Sequence, residues 1–138
     1  MKLTGEMGCT LEIIFLTILE YPDTEVHWSI YEIKIKSIYF YGKYSLNIVC
    51  EDLNYLHESL ISIETTRVVD LVTLEEGLSL NFEFDITGNT TCNIKCMDSS
   101  LRESLSCRFI VDYESLQRFI RELKDHLDLL RNEFKTNN

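Results

Sequence analysis

Alternating apolar and polar residues between positions 78 and 111 constrain the fold of this chain more than any other feature of its sequence. Three alternating runs and the two turn-rich segments between them cover, in order, residues 78–86, 87–90, 92–96, 98–100 and 105–111. Because successive side chains of a strand point to opposite faces, each run predicts a strand with one apolar and one polar face. We therefore expect three consecutive antiparallel strands, and the rest of the chain must cover their apolar face.

Four further runs precede this stretch and predict strands, because they are rich in β-branched and aromatic residues. They cover residues 11–19, 28–41, 44–50 and 68–74. The first run is apolar on both alternating faces, which predicts a strand that is covered on both sides. In the second run the alternation changes phase near Ile30, which indicates a bulge or a bend. Gly42 and Lys43 predict the turn that follows it.

Two segments have the three- and four-residue spacing of amphipathic helices. The first covers residues 51–63, with apolar side chains at Leu53, Leu56, Leu60 and Ile63. The second begins at residue 113, and its apolar stripe comprises Leu116, Phe119, Ile120, Leu123, Leu127, Leu130 and Phe134. Either stripe can cover the apolar face of a sheet.

The order of these segments predicts the fold class. Strands and helices do not alternate as they do in a doubly wound parallel sheet. We expect an α+β fold in which an antiparallel sheet of about six or seven strands has two helices packed on one face. Residues 1–138 are predicted to form a single domain with a frayed tail at 135–138.

The charge balance is strongly acidic and restricts the choice of partner. The chain has 23 aspartates and glutamates against 13 lysines and arginines, a formal net charge of −10. A phosphate backbone would repel such a chain, so we do not expect it to bind nucleic acid directly. An acidic domain suits a basic protein partner, although the charge can also serve solubility alone.

Five cysteines, an odd number, lie mostly within apolar runs, at Cys9, Cys50, Cys92, Cys96 and Cys107. This pattern is typical of reduced, buried thiols in a cytoplasmic protein rather than of a disulfide framework. In a strand, Cys92 and Cys96 would be separated by about 13 Å, too far to bind one zinc ion together. The apolar run at 13–19 is too short to span a bilayer, so we expect no membrane segment.

The sequence contains no recognisable catalytic motif and no glycine loop for phosphate. We therefore expect a protein without enzymatic activity, cofactor or metal. His57 and His126 lie in predicted helices beside Glu58 and Asp125, and we expect both imidazoles to face solvent.

Acidic residues near the central strand form the candidate site. Glu75, Glu76, Glu83 and Asp85 cluster on or near its polar face, with no lysine or arginine among them. Such a cluster is usually a solvated surface, but it can also steer a basic partner towards a docking surface. Trp28 is expected to add an aromatic anchor, together with the exposed tyrosines Tyr39, Tyr41 and Tyr44.

The succession of these segments resembles the WapI-like bacterial immunity proteins. The resemblance extends over residues 11–130 and rests on a pattern of segments rather than on a catalytic signature. The segments are residues 11–19, Tyr21-Pro22-Asp23 with Trp28, 30–38, 52–60, 74–80 and 113–127.

The resemblance implies a cytoplasmic antitoxin. Such a protein binds the toxic C-terminal domain of a secreted polymorphic toxin, often a nuclease, and protects the producing cell by stoichiometric occlusion. The acidic balance is compatible with this role, because nuclease domains are commonly basic.

Two other classes of function stay open. One is a non-enzymatic interaction or scaffold module that can form a homodimer through an exposed strand edge. The other is a small-ligand binder or enzyme with a pocket between the sheet and the helices.

Overall fold

The protein folds into two four-stranded antiparallel sheets and three helices, in a computed structural model that describes residues 1–19, 26–98 and 103–136. The first sheet contains, in spatial order, β1 (Lys2–Thr4), β2 (Thr10–Leu19), β3 (Trp28–Lys36) and β4 (Tyr41–Val49). The second contains β5 (Val68–Val72), β6 (Leu78–Phe84), β7 (Thr90–Met97) and β8 (Ser104–Val111). The helices are α1 (Cys50–Ile61), α2 (Ile63–Thr66) and α3 (Tyr113–Thr136).

The α+β class is confirmed, whereas the prediction of one sheet of six or seven strands is wrong. In each sheet consecutive strands are neighbours, and the ladder of hydrogen bonds is interrupted between β4 and β5. Helices α1 and α2 lie between these two strands in the chain. They carry the backbone away from the first sheet, so that β5 begins a new sheet instead of extending the old one. Periodicity along a strand identifies its faces but not its hydrogen-bonded neighbour.

Apolar side chains of both sheets and of the long helices form one buried core. The alternation of the central strands is confirmed, because Leu78, Leu80, Phe82, Cys92, Ile94, Cys96, Phe109 and Val111 are buried. The stripe of α3 is confirmed as well, with Leu116, Phe119, Leu123, Leu127 and Leu130 buried. The two long helices pack against each other beside the sheets.

The bulge or bend predicted near Ile30 is absent from β3, and the irregularity there lies in the neighbouring strand β2. Residue pairing shifts between Phe15 and Thr17 of β2, so that Leu16 has no partner across the ladder. Strand β3 itself keeps one parity, and its buried face continues through Tyr31. The prediction that β2 is covered on both sides is wrong, because Leu16 is 51% exposed.

The β3–β4 turn comes earlier in the chain than predicted. Residues 37–40 form it, and the Ser37 N–H donates a hydrogen bond of 2.8 Å to the Phe40 carbonyl. Gly42 and Lys43 instead belong to β4. A Cβ atom on Gly42 would lie 2.6 Å from the Leu105 side chain of β8, so this glycine permits the two sheets to approach closely.

The end of β6, the C-terminal tail and the predicted turn at 98–100 can also be compared with the structure. Strand β6 ends at Phe84, and Ile86 lies in the following turn with 96% of its surface exposed. Helix α3 includes residues 135 and 136 of the predicted frayed tail, and the rest of that tail lies outside the described residues. The same holds for most of the predicted turn at 98–100. None of the helices in the described ranges is long and apolar enough to cross a membrane.

Candidate functional site

The four predicted acidic residues do not form one cluster. Glu75 and Glu76 lie in the loop before β6, Glu83 lies near the end of β6, and Asp85 lies in the turn after it. The six residue steps of β6 separate its two ends by about 20 Å. The structure therefore brings Glu75 and Glu76 together, and it places Glu83 and Asp85 at the other end of the strand.

Trp28 also lies apart from the other predicted residues. It is the first residue of β3, is half-buried, and pairs with Leu19 of β2 and Val49 of β4. Tyr39 lies in the turn at the other end of β3, about 26 Å along the strand, and Tyr41 is the first residue of β4. Trp28 therefore does not share a surface patch with those tyrosines. The prediction that Tyr44 is exposed is wrong, because it is half-buried within β4 and packs against the core.

Glu75 and Glu76 line a cleft of about 740 Å³ where the loops of the second sheet meet strand β4. We call this the β4 cleft. It is lined by Lys43, Tyr44, Ser45, Leu46, Asn47, Glu75, Glu76, Gly77, Met97 and Asp98. The Lys43 ammonium lies 3.4 Å from a carboxylate oxygen of Glu32 on the outer face of the first sheet. The lining carries three carboxylates, those of Glu75, Glu76 and Asp98, against the one ammonium of Lys43, so the cleft is acidic.

The loop that carries the two glutamates is fixed by backbone hydrogen bonds. The Glu76 N–H donates to the Thr73 carbonyl at 2.7 Å, and the Thr73 N–H donates to the Leu78 carbonyl at 3.0 Å. Glu76 has a φ of 57°, a left-handed conformation that is uncommon for a residue with a side chain. The Leu74 N–H donates to a carboxylate oxygen of Asp52 at 3.0 Å, which attaches the loop to α1. The two carboxylates are therefore presented by an ordered loop.

Two further acidic residues lie at the same cleft, on the segments that flank the β7–β8 connection. The Asp98 N–H donates to the Glu103 carbonyl at 3.1 Å, and the Glu103 N–H donates to Asp98 Oδ1 at 3.2 Å. Burial raises the pKa of the Tyr44 hydroxyl, and Cys96 and Glu103 raise it further. Asp98 acts on the Tyr44 pKa in the same direction. The sequence prediction missed Asp98 and Glu103 as site residues, although Asp98 is the first residue of the predicted turn at 98–100 and Glu103 follows that turn.

The β3–β4 turn and the first residue of β4 carry a row of exposed apolar side chains. Ile38, Tyr39, Phe40 and Tyr41 have 50%, 85%, 66% and 62% of their surfaces exposed. The sequence analysis assigned them to a strand because strands and exposed aromatic turns share this composition. We name these four residues the aromatic turn.

Asp85 has a structural role at the opposite end of β6. Its Oδ1 accepts hydrogen bonds from the Thr87 N–H at 2.9 Å, the Thr87 hydroxyl at 2.6 Å and the Asn89 N–H at 3.0 Å. The Thr87 hydroxyl is the main cause that lowers the pKa of this carboxyl group, and the backbone N–H groups add to it. The carboxylate is thus engaged by its own turn rather than presented to a partner.

The histidines differ from the prediction in their surroundings. His126 is half-buried, and its Nε2 lies 2.7 Å from the Tyr31 hydroxyl oxygen, so it does not simply face solvent. His57 is also half-buried. Burial is the main cause that lowers the pKa of each imidazole. Tyr31, whose hydroxyl contacts His126, is itself fully buried.

Smaller depressions lie elsewhere on the described surface. Asp70, Asn81 and Asn93 are joined by side-chain hydrogen bonds across the outer face of the second sheet, beside a shallow depression of about 460 Å³. The cavity between α1, α2, β6 and α3 has a volume of about 130 Å³, which is less than small-molecule pockets usually have. Among the described residues, no group of three or more potential metal ligands comes together.

Comparison with known proteins identifies a shared fold. No protein-family model and no curated protein matches the chain. A structure of the plant transcriptional regulator PBF-2 matches with a TM-score of 0.56 and 11% identity, over 99% of this chain and 84% of the other. A crystal structure of WHY3 from Arabidopsis thaliana matches with a TM-score of 0.46 and 13% identity, over 92% and 88%. The PBF-2 match shows a common arrangement of the backbone, and at this identity it shows nothing about function.

Proposed function

We propose that this chain is an immunity protein of the WapI-like type, which acts in the cytoplasm and neutralises the toxic C-terminal domain of a polymorphic toxin. It binds one toxin domain, most suitably a basic nuclease domain, and blocks it without any chemistry of its own. The observation that carries the proposal is the β4 cleft, in which Glu75, Glu76 and Asp98 lie on ordered segments.

The electrostatics of the cleft favour a cationic protein. Within the described part of the chain, the carboxylates of Glu75 and Glu76 make no hydrogen bond or ion pair, so their charges are available to a partner. A cluster of one sign steers an oppositely charged partner and raises the rate of association. Because the loop is already ordered, little conformational entropy is lost when it binds.

A nucleic acid is disfavoured as a partner by the charge of the chain. PBF-2, which shares the fold at 11% identity, is a plant transcriptional regulator, but this likeness concerns the fold alone. With a formal net charge of −10, this chain would be repelled by a phosphate backbone. A cationic protein therefore fits the chain better than a nucleic acid.

Charge reversal at the cleft tests the proposal. We expect the gene beside this one to encode a toxin, and a catalytically inactive form of its C-terminal domain is the partner to use, with binding measured by stopped-flow and calorimetry. We expect Glu75→Lys/Glu76→Lys to weaken binding at least about tenfold, mainly through slower association that depends on salt. Glu83→Lys is the matched control, because this exposed acid lies at the other end of β6, and its affinity should stay at the wild-type value.

Two results would refute the proposal. In one, the wild-type protein does not bind the toxin domain and its co-expression does not rescue cells from the active toxin. In the other, the Glu83→Lys control weakens binding as much as the double variant, which would place the contact away from the β4 cleft.

A further inference from the structure

We infer that the outer face of the second sheet is a dimer interface, and that the molecule that covers it is a second copy of this chain. The two copies face each other across a two-fold axis that runs parallel to the strands, so that β5 of one copy lies over β8 of the other. This inference is independent of the proposed function, because the depression on this face and the β4 cleft have no lining residue in common.

A polar row that crosses all four strands is the first observation. Asp70 of β5 pairs with Asn81 of β6, Asn81 pairs with Asn93 of β7, and Asn93 pairs with Arg108 of β8. The Asn81 Nδ2 donates to Asp70 Oδ1 at 2.5 Å, and the Asn93 Nδ2 donates to Asn81 Oδ1 at 2.9 Å. The row therefore has a carboxylate at its β5 end, a guanidinium at its β8 end and two side-chain amides between them.

The charges of this face are balanced, although the chain as a whole is acidic. Among the outward-facing strand residues, Asp70 and Glu83 lie on β5 and β6, and Lys95 and Arg108 lie on β7 and β8. Because the chain has a formal net charge of −10, two copies repel each other least where the local charges sum to zero. One half of the face is negative and the other is positive, so the face is complementary to itself when the two halves are exchanged.

Symmetry selects the arrangement of the two copies. A two-fold axis parallel to the strands, midway between two apposed faces, exchanges β5 with β8 and β6 with β7 and keeps each row in register. Asp70 of each copy then lies opposite Arg108 of the other copy. An axis perpendicular to the strands would place Asp70 opposite Asp70 and Arg108 opposite Arg108, which the repulsion between like charges disfavours.

The neighbouring rows fit the same arrangement. Val68 and Ile110 lie at the two ends of the next row and are 48% and 38% exposed. The parallel axis places Val68 of each copy over Ile110 of the other, so that apolar surface meets apolar surface. On the other side of the polar row, the exposed Lys95 comes opposite Ser79 of the other copy, a short side chain that lines the depression of about 460 Å³. The depression thus leaves room for the long lysine side chain.

The size of the face predicts a weak dimer. Four strands about 4.8 Å apart, with the seven residues of β6 rising about 3.3 Å each, cover roughly 450 Å² per copy and about 900 Å² in total. Interfaces of this size belong to transient complexes. We therefore expect a Kd on the order of 100 µM.

The test measures self-association by sedimentation equilibrium at physiological ionic strength. Arg108→Glu places like charges opposite each other at both ends of the polar row, so we expect dimerisation at least about tenfold weaker than in the wild type. Within the described residues Arg108 is exposed and forms no hydrogen bond or ion pair, so this variant should unfold in urea as the wild type does. Arg121→Glu is the matched control, because it makes the same change of charge at an exposed position of α3 and should dimerise normally.

An equimolar mixture of two single variants gives the sharpest comparison. Asp70→Arg copies carry cations at both ends of the polar row, and Arg108→Glu copies carry anions at both ends. Neither variant should associate with itself. Together they restore opposite charges at both contacts, so the mixture should form a heterodimer at least as tight as the wild-type dimer.

Three results would overturn the inference. The first is a wild type that stays monomeric about tenfold above the expected Kd. The second is a wild-type dimer that Arg108→Glu leaves intact or that Arg121→Glu weakens equally, which would place the contact elsewhere, for instance at the aromatic turn. The third is a mixture of the two folded single variants that stays monomeric.

Discussion

The two ends of the second sheet use similar residues in different ways. At the end of the sheet that holds the β6–β7 turn, Asp85 accepts three hydrogen bonds, and Gly5 pairs with Val111 in an isolated bridge. At the end that faces β4, Glu75 and Glu76 present their carboxylates to the cleft. We refer to these regions as the closed end and the cleft end.

The difference teaches that acidic and apolar composition does not by itself distinguish a structural end from a binding end. What distinguishes them is whether the polar groups already have partners within the fold. A carboxylate that accepts several hydrogen bonds stabilises its own turn, whereas an unengaged carboxylate on an ordered loop can interact with another molecule. Substitutions at the two ends should therefore affect different properties, namely stability at the closed end and binding at the cleft end.

The largest expected effect on stability comes from Gly5 at the closed end. A Cβ atom there would lie 2.1 Å from the Phe109 ring and 2.4 Å from the Ile110 carbonyl oxygen. Because the backbone at Ile110 must move to relieve this contact, we expect Gly5→Ala to lower the free energy of unfolding by about 3 kcal/mol. Urea denaturation with an unchanged m-value measures the loss.

Gly77→Ala is the counterpart at the cleft end. Its Cβ atom would lie 2.6 Å from a terminal carbon of Leu46, a flexible side chain that can rotate away. We expect a loss of about 1 kcal/mol. Equal losses for the two variants would mean that the ends are packed alike, and the comparison would then be wrong.

The acidic residues of the two ends should also respond differently to substitution. Asp85→Ala removes the acceptor of three hydrogen bonds, so it should reduce stability less than Gly5→Ala but measurably. Glu75→Ala should leave stability unchanged, because Glu75 is an exposed loop residue. Thermal unfolding of both variants at neutral pH measures the difference.

The lowered pKa of Asp85 makes the expected effect of Asp85→Ala on stability depend on pH. Hydrogen bonding lowers the pKa of the carboxyl group in the folded protein, so its contribution is complete above the unfolded value of about 3.9. The contribution is lost as the pH falls through the folded value. The stability curves of the wild type and Asp85→Ala should therefore converge at low pH, and a constant separation down to pH 2 would contradict the assigned role.

The parts of the fold that follow local periodicity could be predicted from the sequence. The faces of β6 and the buried stripe of α3 each depend on residues a few positions apart, so the pattern determines them. The division into two sheets depends on which strands form hydrogen bonds across a helical connection, and no short window of sequence contains that information. The three-residue strand β1 is too short for any period to be visible.

The candidate site was predicted only in part for a related reason. Glu76 and Glu83 are close in sequence, but an extended strand separates them by about 20 Å. Asp98 is farther along the chain, yet the antiparallel return of β7 brings it back to the cleft. Gly42 resembled a turn residue because glycine serves both turns and close packing, and only the position of Leu105 distinguishes the two roles.

The smallest expected effect lies at His126 of α3, which contacts the first sheet, and it tests whether the two ends of the second sheet are independent. Burial is the main cause that lowers the pKa of this imidazole, and the positive charge of the N-terminal amine adds to it. The unfolded chain therefore binds more protons as the pH falls through about 6.5, and stability decreases over that window until the folded value is passed. His126→Gln keeps a polar group beside the Tyr31 hydroxyl and removes this part of the slope.

His57→Gln should flatten the pH dependence in the same direction, because burial is also the main cause that lowers the pKa of that imidazole. Urea denaturation between pH 5 and pH 8 should show a flatter pH dependence in the His126 variant than in the wild type. Gly5→Ala and Glu75→Ala should keep the wild-type pH dependence, because distant sites contribute additively. A changed slope in Gly5→Ala would mean that the closed end is coupled to α3, and the two ends could then no longer be treated as separate units.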